Sequence, residues 1–461
     1  MLVGGLVLQA AALASLALAH ESPHGLQLLF TRPEANATPI VLTNRGVIFP
    51  VEGAAPSYSL RCNESYGVNT AQVPHLVLDP TGGLVVASVR AVETTSDSAC
   101  TFTPSTGLPK LSLGGFAQVT SAPNRLLTTT QVYEQPAKVF ASEDYGHTWS
   151  ELATNHTLAV YEALLASSDG QRLFASGHRY DMPNKKLLSI WGTSSDGGKT
   201  WVDQDLASDR FPLGFHPSDP QVVFAREPVP MRTIDPRDRI LRSSDGGATF
   251  EVVQELPPVA SFSSTPDGSS IWLGSQTEGL WRSTDGGKTF ARVQEDTIMG
   301  VYCLQYRQDR LWACTRMAPN TGGIWSSDDR GTTWNKLYSF EQITSQVSCR
   351  PGPTPQEVCE QPWKDWTYEL LTNFEDAGVP PAVADAGSDA GALVADSGPS
   401  TIVEGVDPVP ELDAGVRQGD AGASTKSDDG GCSAIPGQKS GSASLLFGLA
   451  MLTWLRRRRL G

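Results

Sequence analysis

Residues 142–149 have the sequence Ser-Glu-Asp-Tyr-Gly-His-Thr-Trp, and the pattern S-x-D-x-G-x-T-[WF] recurs four more times along the chain. The other copies begin at Ser194, Ser243, Ser283 and Ser327, at intervals of 40 to 52 residues. A recurrence at this period is typical of propellers and solenoids, in which each repeat is one supersecondary unit. The motif therefore predicts a repeat protein.

The residue types in the motif favour a hairpin turn that satisfies its own backbone. Ser and Asp side chains can accept backbone N–H bonds, Gly supplies a conformation that a Cβ would oppose, and the final Trp or Phe can bury its ring. We call this element the Ser-x-Asp turn and predict that its aspartates are structural. They are Asp144, Asp196, Asp245, Asp285 and Asp329, with Asp97 in a sixth copy.

Two less regular units precede the five clear copies. Residues 95–102 keep the Asp, Thr and aromatic positions but have Ala99 in place of Gly, and residues 50–58 form a degenerate unit one period earlier. Each unit has room for four short strands, as in the runs 211–215, 221–224, 239–242 and 249–253. Seven such units predict an all-β, seven-bladed β-propeller with four-stranded antiparallel blades over residues 20–340.

The repeated turns resemble those of the Asp-box, or BNR-repeat, superfamily. Its members include sialidases, some endo-glucanases, the sortilin ectodomain and photosystem-assembly propellers. The resemblance covers residues 26–340 and implies the propeller fold. It does not select a function, because enzymes and binding proteins both carry such turns.

The N-terminus has the pattern of a secretory signal. An apolar run over residues 2–18 ends in Ala17-Leu18-Ala19, a small-x-small cleavage pattern, so residues 1–19 are predicted to be a signal peptide. The net charge is −15, which argues against a nucleic-acid partner because phosphate contacts need a basic face. We therefore expect an exported protein that does not bind nucleic acid.

Export makes the seven cysteines informative, because disulfides persist in oxidising compartments. Residues 341–374 lack the Ser-x-Asp motif and are predicted to form a disulfide-tied extension that packs under the propeller. Pairing between sequence neighbours is the expectation, although other connectivities stay open. The expected pairs are Cys62 with Cys100, Cys303 with Cys314, and Cys349 with Cys359.

The C-terminal part of the sequence predicts a stalk and an anchor. Residues 375–431 are rich in Asp, Ala, Gly, Pro and Ser, which is typical of a disordered acidic linker. Cys432, the apolar run 443–455 and the arginines at 456–459 resemble a MYXO-CTERM sorting tail. That resemblance implies a short hydrophobic helix, a processing protease acting near Cys432, and anchoring at the outer membrane or surface of a Gram-negative bacterium. A plain transmembrane helix is the alternative, but the run falls short of the about 20 residues that a span needs.

Candidate ligand-binding residues come from one side of the predicted ring. Connections between second and third strands share a face with the connections between blades, opposite the Ser-x-Asp turns, and we call this side the loop face. Two of these connections, residues 178–186 and 226–238, are predicted to be extended. Arginine forks there would suit anionic sugars or carboxylates, whereas ordinary solvated loops would have a similar composition. The candidates are Arg90, Tyr133, Glu134, Arg179, Tyr180, Arg226, Arg232, Arg237 and Arg316.

These features predict a non-catalytic, surface-anchored propeller that binds a glycan, peptide or protein through its loop face. The alternative is a glycoside hydrolase of sialidase-like architecture, which needs three arginines on the substrate carboxylate and a Tyr-Glu nucleophile pair. Tyr133 and Glu134 have the residue types of that pair, but residues 30–33 (Phe-Thr-Arg-Pro) lack the Ile of the family's Arg-Ile-Pro signature. No cofactor or metal is predicted, because the histidines show no ligand spacing and no phosphate loop is present.

Overall fold

A computed structural model of the chain shows a seven-bladed β-propeller, as the repeat predicts. Each blade contains four consecutive antiparallel strands, and the first strands of most neighbouring blades contact one another around the centre of the ring. The structure describes residues 23–31, 37–51, 57–66, 74–131, 136–152, 160–181, 183–229, 235–293, 298–316, 322–347, 349 and 358–375.

The first four blades have the following strands. Blade 1 contains β1 (Gly25–Leu29), β2 (Ile40–Thr43), β3 (Gly46–Val51) and β4 (Ser57–Cys62). Blade 2 contains β5 (His75–Leu78), β6 (Leu84–Ala87), β7 (Val92–Thr95) and β8 (Thr103–Pro104). Blade 3 contains β9 (Leu113–Val119), β10 (Ala122–Thr130), β11 (Val139–Ser142) and β12 (Ser150–Glu151). Blade 4 contains β13 (Val160–Ala166), β14 (Leu173–Asp181), β15 (Lys186–Ser194) and β16 (Val202–Leu206).

The last three blades and the segment after them complete the described fold. Blade 5 contains β17 (Phe211–His216), β18 (Asp219–Pro228), β19 (Asp238–Ser243) and β20 (Glu251–Leu256). Blade 6 contains β21 (Val259–Ser264), β22 (Ile271–Ser275), β23 (Leu280–Ser283) and β24 (Ala291–Arg292). Blade 7 contains β25 (Val301–Arg307), β26 (Arg310–Thr315), β27 (Gly323–Ser327) and β28 (Asn335–Ser339). β29 (Ile343–Gln346) and helix α1 (Glu360–Glu375) follow, and short 3-10 helices span Asn63–Tyr66 and Phe340–Gln342.

The core lies between the faces of adjacent blades, where large aromatic side chains interlock. Phe174 of blade 4 lies 5.3 Å, between ring centroids, from Trp191 of its own sheet and 5.3 Å from Phe215 of blade 5. Phe174 and Trp191 are almost fully buried. Burying such rings supplies most of the stabilisation of a sheet that cannot hide its apolar face alone.

The Ser-x-Asp turns have the self-satisfied geometry that their residues predict. The Ser243 hydroxyl donates to Asp245 at 2.7 Å and accepts from the Gly247 N–H at 2.8 Å. The Asp245 carboxylate accepts the Thr249 N–H at 2.9 Å and its hydroxyl at 2.5 Å. Gly247 has φ 83°, a left-handed conformation that favours glycine. The irregular sixth copy keeps this geometry, with Ala99 at φ 63°.

The predicted extended connection at 178–186 is largely strand. The β14–β15 hairpin stays paired out to Asp181 opposite Lys186, so Arg179 and Tyr180 lie on a strand and not in a loop. In blade 5 the pairing likewise runs to Pro228 opposite Asp238, which shortens the predicted 226–238 connection. The reason is that backbone groups continue to pair wherever two strands stay adjacent.

The segment after blade 7 returns to blade 1 and closes the ring. β29 pairs in parallel with β4, which makes blade 1 a five-stranded sheet. Trp366 of α1 is fully buried and packs edge-on against Phe340, with 6.0 Å between ring centroids. These rings join one core with side chains of blades 1 and 7. The predicted extension thus contributes a strand, a helix and core side chains.

The six cysteines of the described fold form three disulfides, but only one expected pairing is correct. Cys303 and Cys314 are bonded and lie opposite each other on β25 and β26. The pairings of Cys62 with Cys100 and of Cys349 with Cys359 are wrong: the bonds join Cys62 to Cys359 and Cys100 to Cys349. The reason is that the returning chain brings the two late cysteines beside blades 1 and 2.

Cys100 lies in the Ser-x-Asp turn that precedes β8, whereas Cys62 is the last residue of β4. Cys432, the signal sequence, the linker after residue 375 and the C-terminal apolar run lie outside the described residues. Within the residues that are described, no helix is both long and apolar enough to cross a membrane.

Candidate functional site

The predicted loop-face residues are spread over four blades. Arg90 is exposed in the β6–β7 turn, and Tyr180 on β14 is also exposed. Arg316 follows β26, where its backbone N–H donates to the Gly300 carbonyl at 2.9 Å. Tyr133, Glu134 and Arg232 lie outside the described residues. The candidates among the described residues therefore lie in four separate blades, 2, 4, 5 and 7.

Three of the predicted arginines bond to carboxylates of their own blades. Arg179 Nε donates to Asp205 Oδ1 at 2.6 Å, and this hydrogen bond lowers the pKa of Asp205. Arg226 Nη1 lies 3.3 Å from Asp238 Oδ2, and its guanidinium lies over the Phe211 ring at 4.6 Å. The third pair joins Arg237 to Asp235 at 3.1 Å. These arginines therefore already have carboxylate partners within blades 4 and 5.

A cavity of about 290 Å³ opens where blades 2, 3 and 4 meet. Its lining comes from the starts of the first strands and the ends of the second strands, which places it on the loop face beside the centre of the ring. The polar and aromatic side chains around it are His75, Ser88, Phe116, Thr128, Gln131 and Glu162. Leu113, Ala87 and Val89 supply apolar wall.

A pair of glycines on β9 shapes this cavity. A Cβ on Gly114 would lie 1.9 Å from the Tyr161 carbonyl oxygen, and one on Gly115 would lie 2.7 Å from the Ala163 carbonyl carbon. β9 therefore packs directly against the backbone of β13. On the other side, the Leu113 N–H donates to Val89 O at 2.7 Å, which ties β9 to the turn of blade 2. The cavity lies between these two attachments.

His75 and Phe116 form an aromatic wall of the cavity. Their ring centroids are 5.5 Å apart with 18° between the planes, so the rings are stacked. His75 is exposed at the cavity, and desolvation by the surrounding protein lowers the pKa of its imidazole. The lowered pKa favours the uncharged form of this ring.

Glu162 is the carboxylate of the cavity, and it is held by a histidine. His178 Nδ1 lies 3.2 Å from Glu162 Oε1, and its Nε2 lies 3.2 Å from Asp209 Oδ1. The hydrogen bond to Glu162 raises the pKa of His178, burial opposes that shift, and the charges of Glu162 and Asp209 add to it. Asp209 also accepts a hydrogen bond from the Ser189 hydroxyl. Two carboxylates thus share one imidazole.

Sequence reasoning missed most of this site, because it searched the connections between second and third strands. Glu162 and Phe116 lie on the first strands of their blades, and Asp209 lies in the connection between blades 4 and 5. His178 was included, as the first residue of the predicted 178–186 segment. The adjacent glycines 114 and 115, directly before an aromatic residue, are the signal that could have located the cavity.

No cluster of three or more His, Cys, Asp or Glu side chains with the arrangement of a metal site occurs among the described residues. The Glu162, His178 and Asp209 group is a line of hydrogen bonds, with the imidazole between the carboxylates. Such an arrangement can stabilise a protonated His178 and fix the orientation of the Glu162 carboxylate.

Comparisons with known proteins found distant similarity to solved structures and no matching family. No protein-family model matches the chain, and no curated protein matches it significantly. A chain of a nidogen/laminin complex is 9% identical, with 57% of this chain and 95% of that chain covered and a TM-score of 0.37. Hydrazine synthase of Kuenenia stuttgartiensis is 10% identical (66% and 96% covered, TM-score 0.45). YCF48 bound to D1 peptide is 14% identical (67% and 96% covered, TM-score 0.42).

Proposed function

We propose that this chain is a non-catalytic propeller that binds a peptide or protein segment through its loop face. The observation that carries the proposal is the cavity between blades 2, 3 and 4, which combines an aromatic wall with polar groups beside the ring centre. Binding sites of propellers and other closed folds are concave, mostly apolar and supplied with a few polar groups. The cavity is likewise concave, and polar and apolar groups share its lining about equally.

The size of the cavity favours a single side chain over an oligosaccharide. Pockets for drug-sized ligands measure about 300–1,000 Å³, and this one, at about 290 Å³, lies just below that range. Recognition of an anionic sugar would use converging arginines, whereas Arg179, Arg226 and Arg237 bond to carboxylates of their own blades. These features support a binding function over sialidase-like hydrolysis.

We also propose that the protein is exported and held at the cell surface as an Asp-box propeller. The three disulfides support export, because such bonds are rare in reducing compartments. The hydrogen bonds of the Ser-x-Asp turns support the Asp-box assignment. The sequence of residues 432–461 supports anchoring. We propose that a protease acts near Cys432 and that the protein is delivered to the outer membrane of a Gram-negative cell.

Peptide selection tests the binding function. Peptides enriched from a random displayed library on the full chain would be titrated against the wild type and two tryptophan variants of blade 3. Gln131→Trp fills the cavity, whereas Gln118→Trp adds the same ring at the exposed opposite end of β9. We expect Gln131→Trp to weaken binding roughly tenfold or more, with Gln118→Trp unchanged, because a buried pocket dominates affinity.

Two results would overturn the proposal. One is equal affinity of the selected peptides for the wild type and Gln131→Trp. The other is turnover of a fluorogenic sialoside by the purified chain, which would establish a hydrolase. The melting temperature of each variant, measured alongside, separates loss of the site from loss of the fold.

A further inference from the structure

We propose that the cavity between blades 2, 3 and 4 takes a positively charged side chain, the ammonium of a lysine or the guanidinium of an arginine, with Glu162 as its counter-ion. This inference rests on the proposed function and adds the chemistry of the ligand. It is drawn from the charges, aromatic surfaces and hydrogen bonds of the cavity.

The charge of the lining is negative. Glu162 contributes a carboxylate, and none of the described residues that line the cavity is a lysine or an arginine. His75 is the other titratable group of the lining, and desolvation by the surrounding protein lowers its pKa, which favours the neutral imidazole. A cation therefore meets an attractive field on entry, and an anion meets a repulsive one.

The groups behind Glu162 keep the net charge negative even when His178 is protonated. His178 lies between Glu162 and Asp209, at 3.2 Å from each carboxylate, so one imidazolium faces two negative charges. The imidazole contacts Glu162 through Oε1. A carboxylate has about four lone-pair sites, so the second oxygen can accept a donor from a ligand. His178 thus orients the Glu162 carboxylate and leaves its second oxygen able to accept a hydrogen bond from a ligand.

The Glu162 carboxylate is open to a ligand. Its side chain keeps 38% of its surface accessible, so a ligand can reach it from solvent. An incoming ammonium or guanidinium would form a charge-assisted hydrogen bond in a partly enclosed site, where such bonds are stronger than at an open surface.

The rest of the lining matches the stem of a basic side chain. The Phe116 ring stacks with His75 in the lining, and aromatic rings attract cations. Leu113 and Ala87 provide apolar contact for methylene groups, which lysine and arginine bury while the charged end stays polar. Gln131 brings an amide to the same wall. An acidic side chain in the same position would be repelled by Glu162.

The test compares small ligands that differ in charge at one position. The full chain would be titrated by NMR with N-acetyl-lysine methylamide, N-acetyl-arginine methylamide, and the norleucine and glutamate analogues. We expect the lysine or arginine amide to bind roughly tenfold more tightly than norleucine, because the cation forms a charge-assisted hydrogen bond that norleucine cannot form. The glutamate amide should bind most weakly.

Three variants test whether Glu162 causes the preference for a cation. Glu162→Gln should remove the preference for the cation, and Glu162→Asp should retain part of it. Glu143→Gln is the matched control, because Glu143 is exposed and pairs with Arg125 in the Ser-x-Asp turn of blade 3. It should leave all affinities unchanged. Melting temperatures would confirm that the variants fold.

A preference for lysine that survives Glu162→Gln would overturn the inference, as would norleucine binding as tightly as lysine, or no binding by any of the amides. Failure here is distinguishable from failure of the proposed function. If selected peptides still lose affinity in Gln131→Trp, the cavity is the binding site and only its ligand chemistry is wrong. If they do not, the binding function itself fails.

Discussion

Cys100, in the Ser-x-Asp turn of blade 2, is bonded to Cys349, which lies beyond the last blade and 249 residues further along the chain. A second bond joins Cys62 of β4 to Cys359 across 297 residues. β29 follows blade 7 and precedes Cys349 in the sequence, and it pairs with β4. We call β29, α1 and these two disulfides the clasp. The ring is therefore closed by a covalent clasp on blades 1 and 2.

Removal of a clasp disulfide should destabilise the whole propeller. For the double variant Cys100→Ala/Cys349→Ala we expect the free energy of unfolding to fall by about 2–5 kcal/mol, because the unfolded chain loses a long-range constraint. Urea denaturation followed by tryptophan fluorescence measures this. The Cys303–Cys314 bond spans only 11 residues, so its removal adds less conformational entropy to the unfolded chain and should destabilise the fold less. Unchanged stability of the clasp variant would argue that β29 and α1 alone hold the ring.

The glycines of the Ser-x-Asp turn in blade 6 should differ sharply in their tolerance of alanine. Gly286 and Gly287 have φ of 73° and 78°, which costs an alanine about 1–2 kcal/mol at either position. A Cβ on Gly287 would lie 2.2 Å from the Phe224 ring, whereas one on Gly286 meets nothing within 4 Å. Gly287→Ala should therefore lose about 1–3 kcal/mol more than Gly286→Ala. Thermal unfolding of the two variants measures the difference, and equal losses would contradict the turn geometry.

The turn carboxylates should set part of the acid stability. Hydrogen bonds from the Thr249 hydroxyl and backbone N–H lower the pKa of Asp245 to about 2, from an ordinary value of 3.8. Because the folded pKa is depressed, this stabilisation is present above the ordinary value and is lost as the pH falls through the folded value. The difference in melting temperature between wild type and Asp245→Asn should thus be largest above pH 4 (about the unfolded pKa) and shrink toward pH 2. A difference that stays constant over this range would refute it.

His178 should titrate above the ordinary pKa of histidine, 6.5. A raised folded pKa means that its stabilisation is fully present below the unfolded value and is lost as the pH rises through the folded value. NMR titration of the His178 ring should show the raised pKa in the wild type. Glu162→Gln should lower it by removing the largest cause of the shift, and Glu143→Gln should not. A His178 pKa insensitive to Glu162→Gln would contradict the hydrogen bond between them.

The fold was predictable because its information is local. Each Ser-x-Asp turn contains its own hydrogen-bond donors and acceptors, so eight residues around Asp144 or Asp245 suffice to identify it. The disulfides were not predictable in the same way, because Cys100 meets Cys349 only after the chain has passed round the ring. Spacing along the sequence carries no record of that return.

The cavity was hidden from the sequence for a related reason. His75, Phe116 and Glu162 come from three different blades, and their proximity depends on how closely β9 approaches β13. For the arginines that the sequence favoured as ligand-binding residues, the sequence did not reveal their partners within the fold. Arg179 and Arg226 are on the predicted face, but each bonds to a carboxylate that becomes adjacent through strand pairing. Side-chain partners across a sheet are set by register, which composition does not reveal.

Site-specific photo-crosslinking tests most directly whether the loop-face cavity is where a partner binds. A selected peptide carrying benzoylphenylalanine would be irradiated with the unmodified full chain, and the products mapped by mass spectrometry. We predict cross-links to residues of the cavity lining, such as Thr128 and Gln131, and none to Gln118 at the opposite end of β9. Cross-linking to Gln118, or equal yields at Gln131 and Gln118, would contradict the account.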